Sequence, residues 1–310
     1  MPSPFEPSPI SAWIEPKRLA RAMRVLADPR LQVVGVGSPD AAARRALAER
    51  FGAEQFDDMR RLAVRSHGTL WVDRAAPLDE GDIAAFATED IGLVAGLCTL
   101  PFLVAVPHCT TAPSFRRMAV GRTLLSIVEA FGRVEVLQAT VAVPDDDRLG
   151  EGLRLAASAA LAVLGPIDSV TALGARTGTI TATVVGQRGF GTLAIGRGGD
   201  SSNFALVGEG GLATVTPMIA CWHRADGSLV EETRLDSDGD EPLIAAILET
   251  ERRGDHDGVP AAPDEEARRL RVRAAALVET IMLSARTGHS ESVDEFLRSY
   301  GVDPEELRIG

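Results

Sequence analysis

Lysine is nearly missing: of the 32 basic side chains in this 310-residue sequence only one, Lys17, is lysine. An amine that exchanges a proton near neutral pH is confined to that position, because arginine does not deprotonate there. Cysteine is scarce as well. Cys98, Cys109 and Cys221 are odd in number, widely spaced and mostly in apolar company. That excludes a disulfide framework and argues for reduced thiols in a cytoplasm. No apolar run approaches the roughly 20 residues a bilayer demands, since the longest, 91–106, is interrupted by Gly92, Gly96 and Pro101. The opening Met1-Pro-Ser-Pro-Phe-Glu-Pro lacks the basic and apolar regions of a secretory signal. Positive charge is in deficit. With 44 acidic residues and a net charge of −12, nucleic acid is excluded as a partner, because phosphate binding needs a concentrated positive surface. What remains is the balance of a folded protein, 45% apolar and 25% charged, long enough for two domains.

The first half alternates between strand and helix. Residues 1–16 hold prolines at 2, 4, 7, 9 and 16, which predicts that this stretch stays out of a central strand. Leu19, Met23 and Leu26 then space a helix over 17–27, and Leu31 to Val36 reads as a buried strand. Asp40 opens a second helix, which Gly52 ends in a left-handed cap. A helix at about 57–64 and a strand at 69–72 complete a β-α-β rhythm, hence parallel strands under covering helices. From Val134 the rhythm changes. A strand (134–143) and an alanine-rich helix (149–164) precede seven short strand-like runs between 169 and 233, separated by Gly, Asp and Asn turns. Nothing there leaves room for crossover helices, so the sheet is antiparallel. Two helices close the chain, the clearer running from Asp264 to Gly288. The predicted fold is α/β plus α+β: a reduced Rossmann-like domain with parallel strands at about 1–120, and a domain at about 121–310 with an open, mostly antiparallel sheet and flanking helices.

Several segments in this order resemble the Gfo/Idh/MocA oxidoreductase family. They are Leu31-Gln-Val-Val-Gly-Val-Gly-Ser-Pro-Asp, Ala48-Glu-Arg-Phe-Gly-Ala with Phe56-Asp-Asp, Gly165-Pro-Ile-Asp-Ser-Val-Thr-Ala, Gly189-Phe-Gly-Thr-Leu, Leu206-Val-Gly-Glu-Gly-Gly-Leu-Ala and Glu279-Thr-Ile-Met-Leu-Ser-Ala-Arg-Thr-Gly. The resemblance covers most of 17–72 and nearly all of 132–295. It implies an intracellular protein that is oligomeric through the outer face of its open sheet, either a homodimer or a heterodimer with an active paralogue.

The residues that do chemistry in that family are not where the resemblance puts them. Its glycine-rich turn, which brings a pyrophosphate onto backbone amides, corresponds to Pro9-Ile-Ser-Ala-Trp-Ile-Glu-Pro-Lys-Arg. That stretch has no glycine; Trp13 would fill the space and Glu15 would repel a phosphate. After the second strand, Gly35-Val-Gly-Ser-Pro-Asp reads as a tight turn with Ser38 or Asp40 capping a helix. Serine replaces the family's ribose-binding acid there, and with Arg44 and Arg45 it would suit a 2′-phosphate. The family's Glu-Lys-Pro motif has only Thr99-Leu100-Pro101 or Asp73-Arg74-Ala75-Ala76-Pro77 for counterparts. The span from Val72 to Arg133 looks too short for the remaining β-α units. Counting back from Gly165 sets Glu151, Leu153, Leu155 and Ser158 on the family's Asp-x-Gly-x-His…Asp helix, with leucine at the proton-shuttling histidine.

Other chemistry leaves little trace. The histidines at 67, 108, 223, 256 and 289 share no metal-type spacing, and no metal is expected. His108-Cys109 reads as a bystander pair, Asp145-Asp146-Asp147 as a solvated turn before a helix, and the acidic run 236–241 as an exposed linker. The sequence thus predicts a catalytically degenerate binding, scaffold or partner subunit. It would bind no cofactor and hold a sugar-like ligand between its domains near Glu151, Arg154, Ser158 and His108. The alternative is an NAD(P)-dependent oxidoreductase of a sugar or small polyol with a rearranged cofactor site, NADP entering through Ser38, Arg44 and Arg45. A third reading is new chemistry at His108 or Glu151.

Overall fold

A computed structural model describes residues 7–66, 68–86, 91–175, 178–254 and 265–307. Pro2, Pro4, His67, His256 and Asp264, which entered the reading above, lie outside them. The chain forms two compact units, one of residues 1–114 with 239–265 and one of 115–238 with 266–310.

In the first unit, strands β1 (Ser8–Ile14), β2 (Leu31–Gly37), β3 (Glu54–Phe56), β4 (Thr69–Asp73), β5 (Gly92–Ala95) and β6 (Thr110–Thr111) pair in parallel in the order β3-β2-β1-β4-β5-β6. This is the order of a doubly wound dinucleotide-binding sheet. Helices α1 (Leu19–Leu26), α2 (Ala41–Phe51), α3 (Met59–Arg65), α4 (Glu80–Phe86) and α5 (Leu100–Ala105) are the crossovers. Two expectations fail here. All six strands fit before residue 112 because β3, β5 and β6 have only 3, 4 and 2 residues, so the domain is reduced in strand length and not in strand number. Pro9 also lies in a central strand after all. It sits one residue inside the start of β1, where the ladder already begins with the Ser8 amide donating to the Arg30 carbonyl at 2.8 Å, so its missing donor falls at the margin.

Alternation divides β1 between two faces. Ile10, Ala12 and Ile14 join a buried cluster with Ala22, Val25 and Leu26 of α1, Leu47 of α2 and Trp71 of β4. The same cluster takes in Leu243, Ile244 and Ile247 from α8 (Glu241–Gly254, numbered in chain order). The sequence reading gave this helix to the second domain, yet its apolar stripe covers β1, β4 and β5. Asp40 caps α2 by accepting from the Ala43 amide at 2.7 Å, and Gly52 ends it at φ 67°.

Arg30, just before β2, pins α8 at its start. Its guanidinium lies 2.8 Å from Asp28 and 2.6 Å from Glu241. Hydrogen bonds from Arg30 hold both carboxyls below the usual carboxylate range. A folded-state pKa below the unfolded one adds stability at neutral pH and loses it as pH falls through the folded value. Arg30→Ala is expected to cost about 0.5 kcal/mol at pH 7, small because the arginine is half exposed. The gap to wild type should close in acid, as urea unfolding at a series of pH values would show.

In the second unit, α6 (Ala119–Phe131) leads into β7 (Val134–Val143) and α7 (Leu149–Leu164). The strands that follow are β8 (Ile167–Ala175), β9 (Thr179–Gly186), β10 (Gly189–Arg197), β11 (Ser201–Gly208), β12 (Gly211–Val215), β13 (Ile219–His223) and β14 (Leu229–Arg234). Then come α9 (Glu265–Thr287), β15 (Ser290–Ser292) and α10 (Val293–Ser299). The nine-stranded sheet runs β14-β13-β12-β11-β7-β10-β9-β8-β15, antiparallel except where β10 pairs with β7. Helix α7 packs on β7 and β10 so closely that a Cβ on Gly152 would stand 3.0 Å from Ile195 and Val143. The opposite face is open: Thr181, Thr183 and Val185 of β9 and Phe190 of β10 are exposed while Ile180, Ala182 and Val184 are buried. The fold class read from the sequence is the one observed.

Candidate functional site

In a sheet of this order the sequence of strands switches sides between β1 and β4, and ligands bind at the carboxyl ends of the strands there. That edge is built of charge. The Glu15 amide donates to the Asp73 carbonyl at 3.0 Å, and the Glu15 carboxylate accepts from the Ala75 amide at 2.8 Å. Asp73 is buried and lies 3.8 Å from Arg21, which also reaches Asp240 at 3.6 Å. Arg18 is buried too. Lys17 stands exposed in the 3-10 turn Pro16–Arg18 that precedes α1.

This turn does not fit a pyrophosphate in the usual way. Pro16 has no N–H, the Glu15 amide is engaged by β4, and the Arg18 amide donates to the Glu15 carbonyl at 2.9 Å. The Glu15 carboxylate, turned to the Ala75 amide, adds negative charge beside the turn. Trp13 is not the obstacle the sequence suggested. By strand alternation its ring points to the α3 side, where a Cβ on Gly37 would run into the indole and meet Leu62 at 3.1 Å.

After β2, Ser38 is fully buried, and its Oγ accepts from the Asp40 amide at 3.3 Å. Arg44 folds back to donate to the Ser38 carbonyl at 2.8 Å. Arg45, one residue on, is exposed on α2. Ser38 and Arg44 are thus in contact, with the serine hydroxyl buried and the arginine tied to the backbone.

Of the α7 positions singled out from the sequence, all but Leu153 share one helix face. Glu151, Arg154, Leu155 and Ser158 are all half-buried, whereas Gly152, Leu153, Ala156 and Ala157 are buried against the sheet. Glu151 pairs with Arg148 at 2.9 Å, and Arg148 also reaches Asp200 at 3.0 Å. Burial works against the charge on Arg148, but Glu151 and Asp200 outweigh it and hold the guanidinium more firmly protonated than usual. Asp145 caps the turn before α7 by accepting from the Arg148 amide at 3.1 Å, and Asp146 pairs with Arg197. His108, in the first unit, is half-buried on the turn between α5 and β6. Leu100, at the place of the family's lysine in the turn after β5, is fully buried. Among the described residues no group of three or more His, Cys, Asp or Glu side chains could hold a metal, and no helix is long and apolar enough to cross a membrane.

No protein-family model matches the sequence, and no curated protein matches it either. Solved structures do match. The WlbA dehydrogenase from Chromobactrium violaceum, in complex with NADH and UDP-GlcNAcA, aligns over 94% of this chain and 97% of its own, at 14% identity and a TM-score of 0.70. A myo-inositol dehydrogenase from Corynebacterium glutamicum aligns over 93% and 99%, at 16% identity and a TM-score of 0.67. A levoglucosan dehydrogenase in complex with NADH and L-sorbose gives 93%, 99%, 14% and 0.70. The fold is that of the Gfo/Idh/MocA-type oxidoreductases. The expectation that no cofactor binds is thereby corrected: neighbours of the same two-unit fold carry NADH, and the absent glycines describe one turn, not the whole site.

The charge at the β1–β4 edge, the buried Arg18 and the pair of half-buried Arg21 with buried Asp73, was not anticipated from the sequence. Charges spaced along an amphipathic first helix read as solvated, and Asp73 ends an apolar run. A signal was present in the arginines at 18 and 21, one helical turn apart, entering from the carboxyl end of β1.

Proposed function

We propose that this chain is a nicotinamide-dependent oxidoreductase of a sugar or related small polyol whose dinucleotide is gripped by a rearranged first turn. The observation that carries the reading is the complete β3-β2-β1-β4-β5-β6 order joined to the nine-stranded unit, an arrangement that spans dehydrogenases with NADH and sugar ligands over almost their full length. The half-buried polar face of α7, with Glu151, Arg154 and Ser158, suits a hydroxylated ligand, since hydroxyl groups need matched donors and acceptors. Leucine at 155 and at 100 removes the family's proton-transfer groups, so no catalytic base is assigned.

With backbone amides withdrawn from the turn, side-chain charge has to hold the diphosphate, and the exposed Lys17 is the group at that place. A charge-assisted hydrogen bond contributes about 1.5–3 kcal/mol, so Lys17→Ala is expected to weaken NADH binding about tenfold or more. Glu15→Gln keeps the shape of the acceptor to Ala75 and removes the negative charge, and is expected to tighten it. Fluorescence titration reads both; unchanged affinity in both variants would place the dinucleotide elsewhere. The activity itself is tested by following NADH formation from NAD+ over a panel of sugars and polyols. Turnover of at least one supports the reading, and none with any member contradicts it.

A further inference from the structure

Cys98 and Cys109 stand with their sulfurs 3.6 Å apart, both as reduced thiols. They are eleven positions apart in sequence and bracket α5: Cys98 follows β5 and is bridged to Leu78, and Cys109 precedes β6. Cys98 is part-exposed, whereas Cys109 is fully buried. The third cysteine, Cys221, sits on β13 in the other unit. A disulfide needs its sulfurs at about 2.05 Å, so the pair has to close by about 1.5 Å. Neither residue lies inside a helix or a named strand, but Cys98 is held by a parallel bridge to Leu78, so it is chiefly side-chain rotation that has to bring the pair together.

We propose that Cys98 and Cys109 form a reversible intramolecular disulfide, making this turn a site of thiol oxidation. The accessible Cys98 thiolate attacks a small disulfide oxidant such as oxidised glutathione. One glutathione thiolate leaves and a mixed disulfide remains on Cys98. The Cys109 thiolate then attacks the Cys98 sulfur and expels the second glutathione. Two protons and two electrons leave the protein, and one oxidised glutathione becomes two reduced ones. Access and order match the roles, since the exposed partner meets the oxidant and the buried one can reach only its neighbour. The bond would tie the two ends of α5 together and fix the 97–101 turn at the carboxyl end of β5. The proposal does not depend on nicotinamide binding.

The test is mass spectrometry of the full chain incubated with oxidised glutathione. No lysine or arginine lies between Arg74 and Arg116, so one tryptic peptide, 75–116, carries both cysteines. Its expected mass is two hydrogens lower after oxidation and returns to the start with dithiothreitol. Cys109→Ser removes the resolving thiol and should trap a stable glutathione adduct on Cys98. Cys98→Ser should leave Cys109 unmodified. The proposal is overturned if the wild-type chain accumulates the Cys98 adduct to the same extent as Cys109→Ser, if its cross-link joins two chains, or if peptide 75–116 stays fully reduced.

Discussion

Trp71→Ala is expected to destabilise the first unit by about 3–5 kcal/mol, the range for truncating a large buried aromatic. Trp71 is 1% exposed and lies on β4, next to the central strand. It belongs to the cluster that joins β1 and α1 to Leu243 and Ile247 of α8. The void would open where a distant chain segment meets the sheet, and such a site collapses poorly because its two sides are bound to different parts of the chain. With folded domains stable by only about 5–15 kcal/mol, a large fraction of the total is at stake. Urea unfolding should show a lower midpoint with little change in slope. A loss below about 1 kcal/mol would mean that α8 does not seal this core as described.

Arg273→Met is the second large effect. Arg273 is 2% exposed within α9, and its guanidinium donates to the carbonyls of Leu307 at 2.9 Å and Pro304 at 2.8 Å. Asp294 of α10 lies 3.9 Å away. Methionine keeps much of the volume but none of the donors, and leaves two carbonyls and a carboxylate without their cation. Losing hydrogen bonds to a charged group at about 1.5–3 kcal/mol each, less the relief of not burying a charge, gives a loss of about 3 kcal/mol. Hydrogen exchange should locate the change in α10 and the turn 304–307. Protection unchanged there would contradict the role given to Arg273.

Regular elements with local signals were legible in the sequence. Strand β7 and helix α7 have the predicted bounds, because alternation or helical spacing runs unbroken between glycine, proline and aspartate punctuation. Strand β6 was not legible, being too short to show a period, and neither was the return of α8 to the first unit. That return is a matter of which sheet lacks cover over β4 and β5, and no window of sequence holds it. Pro9 misled for a physical reason: a proline argues against a strand interior, but it sits at the margin of β1. In the candidate site, α7 was visible as a helix whose Glu151, Arg154 and Ser158 recur at one face. The edge at β1 and β4 was not, since Arg21, Asp73 and Asp240 come together only through the parallel order of the strands and the path of α8.

The central claim is that a nicotinamide dinucleotide binds a fold whose glycine turn has been replaced. Calorimetric titration of the whole chain with NADH and with NADPH tests it most directly. The account predicts saturable binding of at least one of them with one site per chain, and at ten times Kd a gain of roughly 1.4 kcal/mol in stability that raises Tm. No heat and no shift in Tm with either nucleotide at millimolar concentration would contradict it.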